Sequence, residues 1–402
     1  MADTKAFVGA RIFDGTGKPV IENGTIVVVD GKVAAVGASN KVKAPKGAQT
    51  INVAGKTITP GLINTHGHVS DVEGKRTGAS EESVARQLAL FARYGITTVF
   101  SLGGEEQPSY KLRDAQNTQA LNRARIYVAG TVIVAKTPEE GRAMVDKVAD
   151  TKPDYIKIRV DDNLGTSQKI PPDVYRAVID EAHKRGLRLF VHYFYLDDAK
   201  DLVKSGADLL AHSVRDKPVD DEFIALVKSR NIPYCPTLTR EISTFIYEDS
   251  PAFFKDRFFT KEANPEVVAA LQEPEKAKAM RQSKSAQAYK AALPTAEKNL
   301  KKLSDAGVTI LMGTDSGATA SRFEGYFEHL EMKMMAESGM SPKEILLSAT
   351  GAAARGMKVN DIGTLEKGRW ADIVVYDKNP LDDISNTKTI SAVYVAGNEV
   401  KK

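Results

Sequence analysis

Two histidines separated by one residue, His66 and His68, follow a short apolar run, Leu62-Ile-Asn-Thr65. The run predicts a buried strand, and residues two positions apart on a strand point to the same side. Two imidazoles side by side at a strand end are typical of a divalent-metal site rather than of a packed core. A His-x-His pair alone has low specificity, because such pairs arise by chance in any long chain.

Four further residues whose side chains can bind a metal stand within or just after later apolar runs: Lys157, His192, His212 and Asp315. In the alternative interpretation, the strand histidines are hydrogen-bonded core residues, which their order and spacing disfavour. A charged lysine is costly inside a protein. Lys157 is therefore expected either to be a neutral or carbamylated ligand or to pair with an acid.

The composition is that of an ordinary water-soluble globular chain. It has 402 residues, of which 42% are hydrophobic and 27% charged, with a formal net charge of +4. The basic residues are dispersed, which argues against a nucleic-acid partner, and no apolar run reaches membrane-spanning length. The single cysteine, Cys235, excludes an intramolecular disulfide and is expected to be a buried strand residue. The first residues lack a hydrophobic leader, so a cytoplasmic location is expected, with a periplasmic or secreted mature form as the alternative.

Between residues 61 and 361, strand-like and helix-like patterns alternate. Eight strands are predicted, at 63–68, 97–102, 126–130, 155–160, 188–192, 208–212, 232–238 and 309–314. Eight strands alternating with helices are typical of an α/β protein with a (β/α)8 TIM barrel, in which functional groups collect at the carboxyl ends of the strands. Residues from about 240 to 300 are too many for an ordinary connection, and we expect a helical insertion there.

Short β segments occupy both ends of the chain. Asp30-Gly31 predicts a hairpin turn between two apolar runs. Neither end has enough strands to bury a face alone. Residues 1–60 and 362–402 are therefore expected to form one small β-sandwich domain beside the barrel of residues 61–361.

In this ordered set the chain resembles the amidohydrolase superfamily of metal-dependent hydrolases, in particular its imidazolonepropionase-like and Xaa-Pro dipeptidase-like branch. The resemblance runs from Gly15-Thr-Gly17 to Ala371-Asp-Ile-Val-Val375. It implies two divalent metal ions, for which zinc is the expected metal. One ion would be held by His66, His68 and Asp315, the other by His192 and His212, with a carbamylated Lys157 bridging both.

The resemblance implies a binuclear hydrolase that cleaves a C–N bond in an amide, dipeptide or N-acyl amino acid by a metal-bound hydroxide. Asp315 would serve as the catalytic proton shuttle. The alternatives are a lactone, ester or carbamate hydrolase using the same site, a mononuclear imidazolonepropionase-like cyclic amide hydrolase, and a non-catalytic barrel. The last is disfavoured because none of the six ligand positions is missing.

Substrate recognition is less defined. The position at which dipeptidase-like members carry a carbonyl-assisting tyrosine is Phe194 here, and the lysine strand continues into Arg159-Val-Asp-Asp-Asn163 rather than a Gly-Gly loop. Small-molecule substrate contacts are expected from five residues: Tyr193, Tyr195, Arg159, Arg240 and His329. The two arginines could bind a substrate carboxylate or pair with Asp161 and Glu241. A homo-oligomer is left open.

Overall fold

The computed structural model describes residues 3–69 and 79–401. Its strands are β1 (Thr4–Ile12), β2 (Ile21–Val29), β3 (Lys32–Ala38), β4 (Gln49–Asn52), β5 (Thr57–Pro60), β6 (Leu62–Gly67), β7 (Ile96–Ser101), β8 (Arg125–Val128), β9 (Ile156–Val160), β10 (Leu189–Tyr193), β11 (Leu209–Ala211), β12 (Tyr234–Cys235), β13 (Ile373–Tyr376), β14 (Ile390–Val395) and β15 (Asn398–Glu399).

The α-helices are α1 (Glu81–Arg93), α2 (Gln107–Asp114), α3 (Pro138–Ala149), α4 (Pro172–Lys184), α5 (Leu196–Ser205), α6 (Asp221–Ser229), α7 (Leu238–Ile242), α8 (Arg257–Thr260), α9 (Pro265–Leu271), α10 (Pro274–Gln282), α11 (Lys284–Asp305), α12 (Tyr326–Glu337), α13 (Pro342–Ser348) and α14 (Gly351–Met357). None of the described helices is both long and apolar enough to cross a membrane.

Strands from both chain ends hydrogen-bond in one eight-stranded sheet. Its order is β15-β14-β13-β5-β1-β2-β3, and β4 pairs with β1. β13 pairs with β5 in antiparallel register, Val374 opposite Thr59. The expected hairpin joins β2 to β3, and both of its turn residues have a positive φ, 49° at Asp30 and 80° at Gly31. Positive φ at both central positions is the geometry that an Asp-Gly turn favours.

This sheet buries its own apolar cluster, separate from the main core. The cluster draws Phe7, Ile26 and Ile58 from the first part of the chain and Ile373 and Val375 from the last. Because each half supplies only some of the apolar side chains, burial of the face requires both halves.

The remaining strands are parallel and lie in two sheets, β6-β7-β8 and β9-β10-β11-β12. Isolated parallel bridges link the segments between these sheets: Ile133 to Ile158, Tyr234 to Ile310, and Gly67 to Ser316. The intervening helices bury apolar faces against the strands. Helix α4, for example, buries Val174, Ala177, Val178 and Ala182. His66, Lys157 and His192 lie in β6, β9 and β10, and His212 directly follows β11, so strands of both sheets carry the candidate metal ligands.

Two predicted strands differ from the structure. The strand expected at 232–238 ends at Cys235, and α7 begins at Leu238, because Thr237 has a positive φ of 48° that ends the extended backbone. Residues 309–314, all described, form only the isolated bridge at Ile310. Asp315 follows with a φ of 60°. Each of these two predicted strands thus contains or directly precedes a residue with left-handed backbone, Thr237 or Asp315.

Residues 240–300, where the helical insertion is expected, contain the end of α7, all of α8 to α10 and most of α11. Its aromatic side chains pack together: Phe253 lies 5.1 Å from Phe259 and 5.3 Å from Tyr326, ring centre to ring centre. The segment is thus fixed to the start of α12 through an aromatic cluster rather than left as a free loop.

Candidate metal centre

Three side chains converge at the end of β6. The Nε2 atoms of His66 and His68 lie 3.2 Å and 2.8 Å from Asp315 Oδ1. Their candidate ligand atoms all fall within 4.8 Å of one another. Two imidazole nitrogens and a carboxylate oxygen at this spacing are a donor set that suits zinc.

Backbone hydrogen bonds fix these side chains. The N–H groups of Thr314 and Asp315 both donate to the carbonyl of His66, at 3.0 and 2.6 Å, and the His68 N–H donates to the carbonyl of Ser316 at 2.8 Å. The loop that carries Asp315 is thereby tied to both sides of the His-x-His pair. The positive φ of Asp315 turns its side chain back towards β6.

Lys157, His212 and His192 extend this cluster. Lys157 Nζ lies 3.4 Å from His66 Nε2. The His212 ring centre is 4.5 Å from that of His66 and 4.3 Å from that of His192. The structure therefore brings all six predicted ligands into one continuous group.

Three of the histidines have one ring nitrogen held by a neighbouring oxygen. His68 Nδ1 contacts the Gly103 carbonyl at 3.0 Å, His192 Nε2 contacts Asp161 Oδ2 at 2.7 Å, and His212 Nδ1 contacts Thr237 Oγ1 at 2.6 Å. A ring nitrogen that donates its proton to such a partner leaves the other nitrogen free to bind a metal, which is the usual arrangement around protein metal sites.

Burial keeps most of the histidines neutral. It lowers the pKa of His192 to about 3, and it lowers the pKa values of His66 and His212 well below the ordinary range, with Lys157 and His192, respectively, adding to the effect. Neutral imidazole is the form that binds metals. Burial alone would raise the pKa of Asp315, but Arg322 and the two histidines outweigh it and hold that pKa well below its usual range.

Lys157 is almost completely buried, with 3% exposure, and burial lowers its pKa to about 8. Within the described residues no carboxylate lies within ion-pair distance of its Nζ. Asp315 exerts only a weaker, longer-range attraction on it. Of the two expected states, pairing with an acid is thus the less favoured. Burial increases the fraction of Lys157 present as the neutral amine, which is the form that can react with carbon dioxide.

Sequence reasoning missed Arg322. Its guanidinium contacts Asp315 Oδ2, and its Nε donates to Ser243 Oγ at 2.9 Å. Arg322 lies seven residues beyond Asp315, outside any strand or recognisable motif, so only the folded loop reveals the contact. The same guanidinium leaves Oδ1 facing the histidines.

The two arginines expected to bind substrate carboxylates have acidic partners. Arg159 donates to Asp161 at 3.2 Å and also contacts Asn163. Arg240 donates to Glu241 at 3.1 Å, and its guanidinium lies 4.5 Å above the Tyr289 ring. Both pairings expected as the alternative therefore occur. Arg159 keeps 35% of its side chain exposed, whereas that of Arg240 is 8% exposed.

The other three candidate substrate residues lie in different surroundings. Tyr193 is fully buried and, as the strand neighbour of His192, points to the opposite face. The hydroxyl of Tyr195 donates to Asp162 Oδ1 at 2.9 Å. Both ring nitrogens of His329 are engaged, with Thr387 Oγ1 at 3.0 Å and the Tyr94 carbonyl at 2.8 Å. The position that differs from the dipeptidase-like pattern, Phe194, packs under the Arg215 guanidinium at 4.6 Å.

The sequence model of the amidohydrolase family matches residues 57–400 of this chain. The chain belongs to the amidohydrolase family. The expectation of an amidohydrolase is thus confirmed at the level of the family.

Individual relatives are more distant. An enamidase of Eubacterium barkeri is 27% identical over 219 residues, which is 51% of this chain and 55% of the enamidase. The chain thus spans about half the length of that relative. An imidazolonepropionase of a Geobacillus strain is 24% identical over 89% of this chain and 84% of its own length. The crystal structure of a Xaa-Pro dipeptidase with bound methionine in its active site superposes with a TM-score of 0.77 at 22% identity, covering 98% of this chain and 99% of the dipeptidase. At this identity the likeness shows a shared fold.

Proposed function

We propose that the protein is a binuclear metal-dependent hydrolase that cleaves a C–N bond in an amide, dipeptide or N-acyl amino acid. The observation that carries the proposal is the continuous group formed by His66, His68, Lys157, His192, His212 and Asp315. Family membership and the enamidase, imidazolonepropionase and dipeptidase relatives support this class of reaction.

The residues fit a pair of metal ions. His66, His68 and Asp315 would hold one ion, His192 and His212 the other, and Lys157, as a carbamate, would lie between them. Zinc fits this nitrogen and oxygen donor set. When bound, such ions supply an activated water molecule and polarise the scissile carbonyl.

The protein's own groups would orient the ligands and move protons. The Gly103 carbonyl, Asp161 and Thr237 fix the orientation of three imidazoles. Asp315, whose Oδ1 faces His66 and His68, would accept a proton during attack and pass it to the leaving nitrogen. Arg322 would hold the second oxygen of that carboxylate in place.

Substrate contacts are proposed from the side chains at the open side of this group. Arg159, which keeps an exposed edge, is the better candidate for binding a carboxylate. Tyr195 lies two residues beyond the end of the neighbouring strand β10, directly before α5. Arg240 is enclosed by Glu241 and Tyr289. Arg240 could therefore contact a substrate only through the part of its guanidinium that Glu241 and Tyr289 leave uncovered.

We also propose that the parallel strands and their bridges close into a (β/α)8 barrel over residues 61–361, with the helical insertion at about 240–300. Residues 1–60 and 362–402 would form the β-sandwich domain. The bridges from Tyr234 to Ile310 and from Gly67 to Ser316 support closure, because they join the last strand positions to the first.

One experiment tests the function. Metal-reconstituted protein is assayed on N-acyl amino acids, dipeptides, cyclic amides and lactones, and its metal content is measured after purification without chelator. Two equivalents of metal per chain with amide or dipeptide turnover support the proposal. One equivalent with cyclic-amide turnover favours the mononuclear alternative, and turnover of lactones alone favours the ester-type alternative.

A further inference from the structure

Helix α12 carries two glutamates, Glu328 and Glu331, that are completely buried at 0% exposure. They lie three residues apart, so they share one face of the helix. Neither was singled out by the sequence and neither is a candidate ligand. A buried carboxylate is costly unless it is hydrogen-bonded. Glu328 binds the loop that carries Asp315, and Glu331 binds the loop that contacts His212.

Glu328 binds the side chains that flank the first group of ligands. Its Oε1 accepts hydrogen bonds from Asn64 Nδ2 at 2.6 Å, Ser316 Oγ at 2.6 Å and Thr314 Oγ1 at 3.0 Å. Thr314 and Ser316 stand on either side of Asp315, and Asn64 Oδ1 accepts the N–H of His66 at 2.9 Å.

Glu331 binds the loop next to the second group. The Leu238 N–H donates to its Oε1 at 2.8 Å, and both the N–H and the Oγ1 of Thr239 donate to its Oε2 at 2.7 Å. These residues follow Thr237, whose Oγ1 contacts His212 Nδ1 at 2.6 Å. Thr237 has a φ of 48°, so its position depends on external support.

We propose that Glu328 and Glu331 are positioning residues, through which α12 holds both groups of candidate metal ligands in place. Glu328 sets the place of Asp315 and His66, and Glu331 sets the place of Thr237 and thus of His212. This inference rests on the proposed binuclear function, but it is tested by metal affinities, which can be measured without turnover.

The hydrogen-bond patterns give the two glutamates different tolerances to glutamine. Within the described residues, Glu328 Oε2 has no hydrogen-bond partner, so Glu328→Gln can keep Oε1 as the acceptor of all three bonds. Both oxygens of Glu331 accept, so Glu331→Gln must place an amide donor against an N–H group. Glu331→Gln is therefore expected to be far more damaging than Glu328→Gln.

The experiment measures the dissociation constant and stoichiometry of Zn²⁺ by competition with a chelator, together with the melting temperature, for both glutamine variants and Glu328→Ala. Loss of an outer partner of a metal ligand typically weakens metal affinity by roughly 10–100-fold. That loss is expected for Glu331→Gln and Glu328→Ala but not for Glu328→Gln. Glu337→Gln is the matched control, because Glu337 lies on the same helix but is exposed and pairs with Lys333.

A second comparison separates positioning from general stability. If Glu331 acts through His212, Glu331→Gln should weaken Zn²⁺ binding in the parent protein but add no further loss in a His212→Ala background. Equal loss in both backgrounds, or unchanged affinity in folded Glu331→Gln protein, would overturn the proposal.

Should Glu331→Gln fail to fold, Thr239→Val decides, since it removes one of the three hydrogen bonds and keeps the carboxylate. A smaller loss of affinity is expected there, and unchanged affinity again overturns the inference. A parent protein that binds only one Zn²⁺ would contradict the binuclear function. The remaining ion's affinity in the variants would still test the two glutamates.

Discussion

The two carboxylate oxygens of Asp315 have different neighbours. Its Oδ1 faces His66 and His68, while Arg322 holds Oδ2. In the proposed function this carboxylate binds a metal ion and also exchanges a proton. A carboxamide could still offer an oxygen to the metal but could not exchange a proton near neutral pH.

Asp315→Asn is therefore expected to lower kcat by roughly 10²–10⁴-fold, the range for loss of a proton-transfer group, while much of the metal remains bound. Steady-state kinetics and metal analysis on the same preparation check this. Asp377→Asn, at an exposed aspartate paired with Lys56, serves as the control. Near-parental turnover would remove Asp315 from proton transfer.

Arg159 offers the sharper test of substrate charge, because it keeps an exposed edge whereas Arg240 is enclosed. Arg159→Ala should lower kcat/KM for carboxylate-bearing substrates by about 10-fold or more, since a charge-assisted hydrogen bond contributes about 1.5–3 kcal/mol. Neutral analogues should be unaffected.

The comparison variant for Arg159→Ala is Arg176→Ala, which removes an exposed arginine paired with Asp201. An equal loss on neutral and carboxylate-bearing substrates would contradict carboxylate recognition by Arg159.

The six candidate metal ligands could be singled out from the sequence because four of them are histidines, of which the chain has only six, and because all six stand within or just after apolar runs. Arg322, Glu328 and Glu331 could not, because arginine and glutamate are common and their contacts arise from chain segments far apart in sequence. Thr314 and Glu328, for example, meet only because the loop after Asp315 folds back onto α12.

At the scale of elements, the loop after Asp315 approaches β6 so closely that only glycine fits. A Cβ on Gly317 would lie 2.1 Å from the His68 carbonyl oxygen, and the residue has a φ of 77°. Gly368 has a φ of 89° but nothing within 4 Å of its Cβ position. A substitution at Gly368 therefore tests backbone strain alone, whereas a substitution at Gly317 tests strain together with steric contact.

Gly368→Ala should cost only the backbone strain, about 1–2 kcal/mol. Gly317→Ala should cost more and should also weaken Zn²⁺ binding, because His68 must move. Urea unfolding and chelator competition check both variants. Equal unfolding free energies and equal metal affinities would show that the loop yields without moving His68.

Helix and strand positions followed from apolar patterns and turn residues, as the hairpin at Asp30-Gly31 shows. The strands predicted at 232–238 and 309–314 are longer than the extended segments in the structure, because apolar content alone does not indicate where the backbone turns. Thr237 and Asp315 adopt positive φ through tertiary contacts, which no local pattern encodes.

Across the whole molecule, the terminal sheet and the parallel strands are joined by a buried ion pair. Arg125 of β8 donates to Asp372 at 3.1 Å, with side-chain exposures of 1% and 3%. Asp372 Oδ1 also accepts the N–H of Ala396 at 2.8 Å. Removal of one partner from a buried pair leaves the other charge without compensation.

Asp372→Ala is expected to lower the free energy of unfolding by about 3–5 kcal/mol. Asp377→Ala, which breaks an exposed pair with Lys56, should change it by at most about 1 kcal/mol. Urea unfolding followed by fluorescence gives both values. If both variants lost the same stability, the pair would not join the sheet to the strands.

The pairing of β5 with β13 also has a consequence for synthesis on the ribosome. Lys56 and Asp377, which contact each other beside these strands, lie 321 residues apart. At about 5–20 residues per second, the early strands wait roughly 15–60 s for their partners. During that time β5 presents an unpaired edge, and such edges invite pairing with other chains. The β5 edge of a nascent chain therefore stays open to pairing with other chains until β13 has been synthesised.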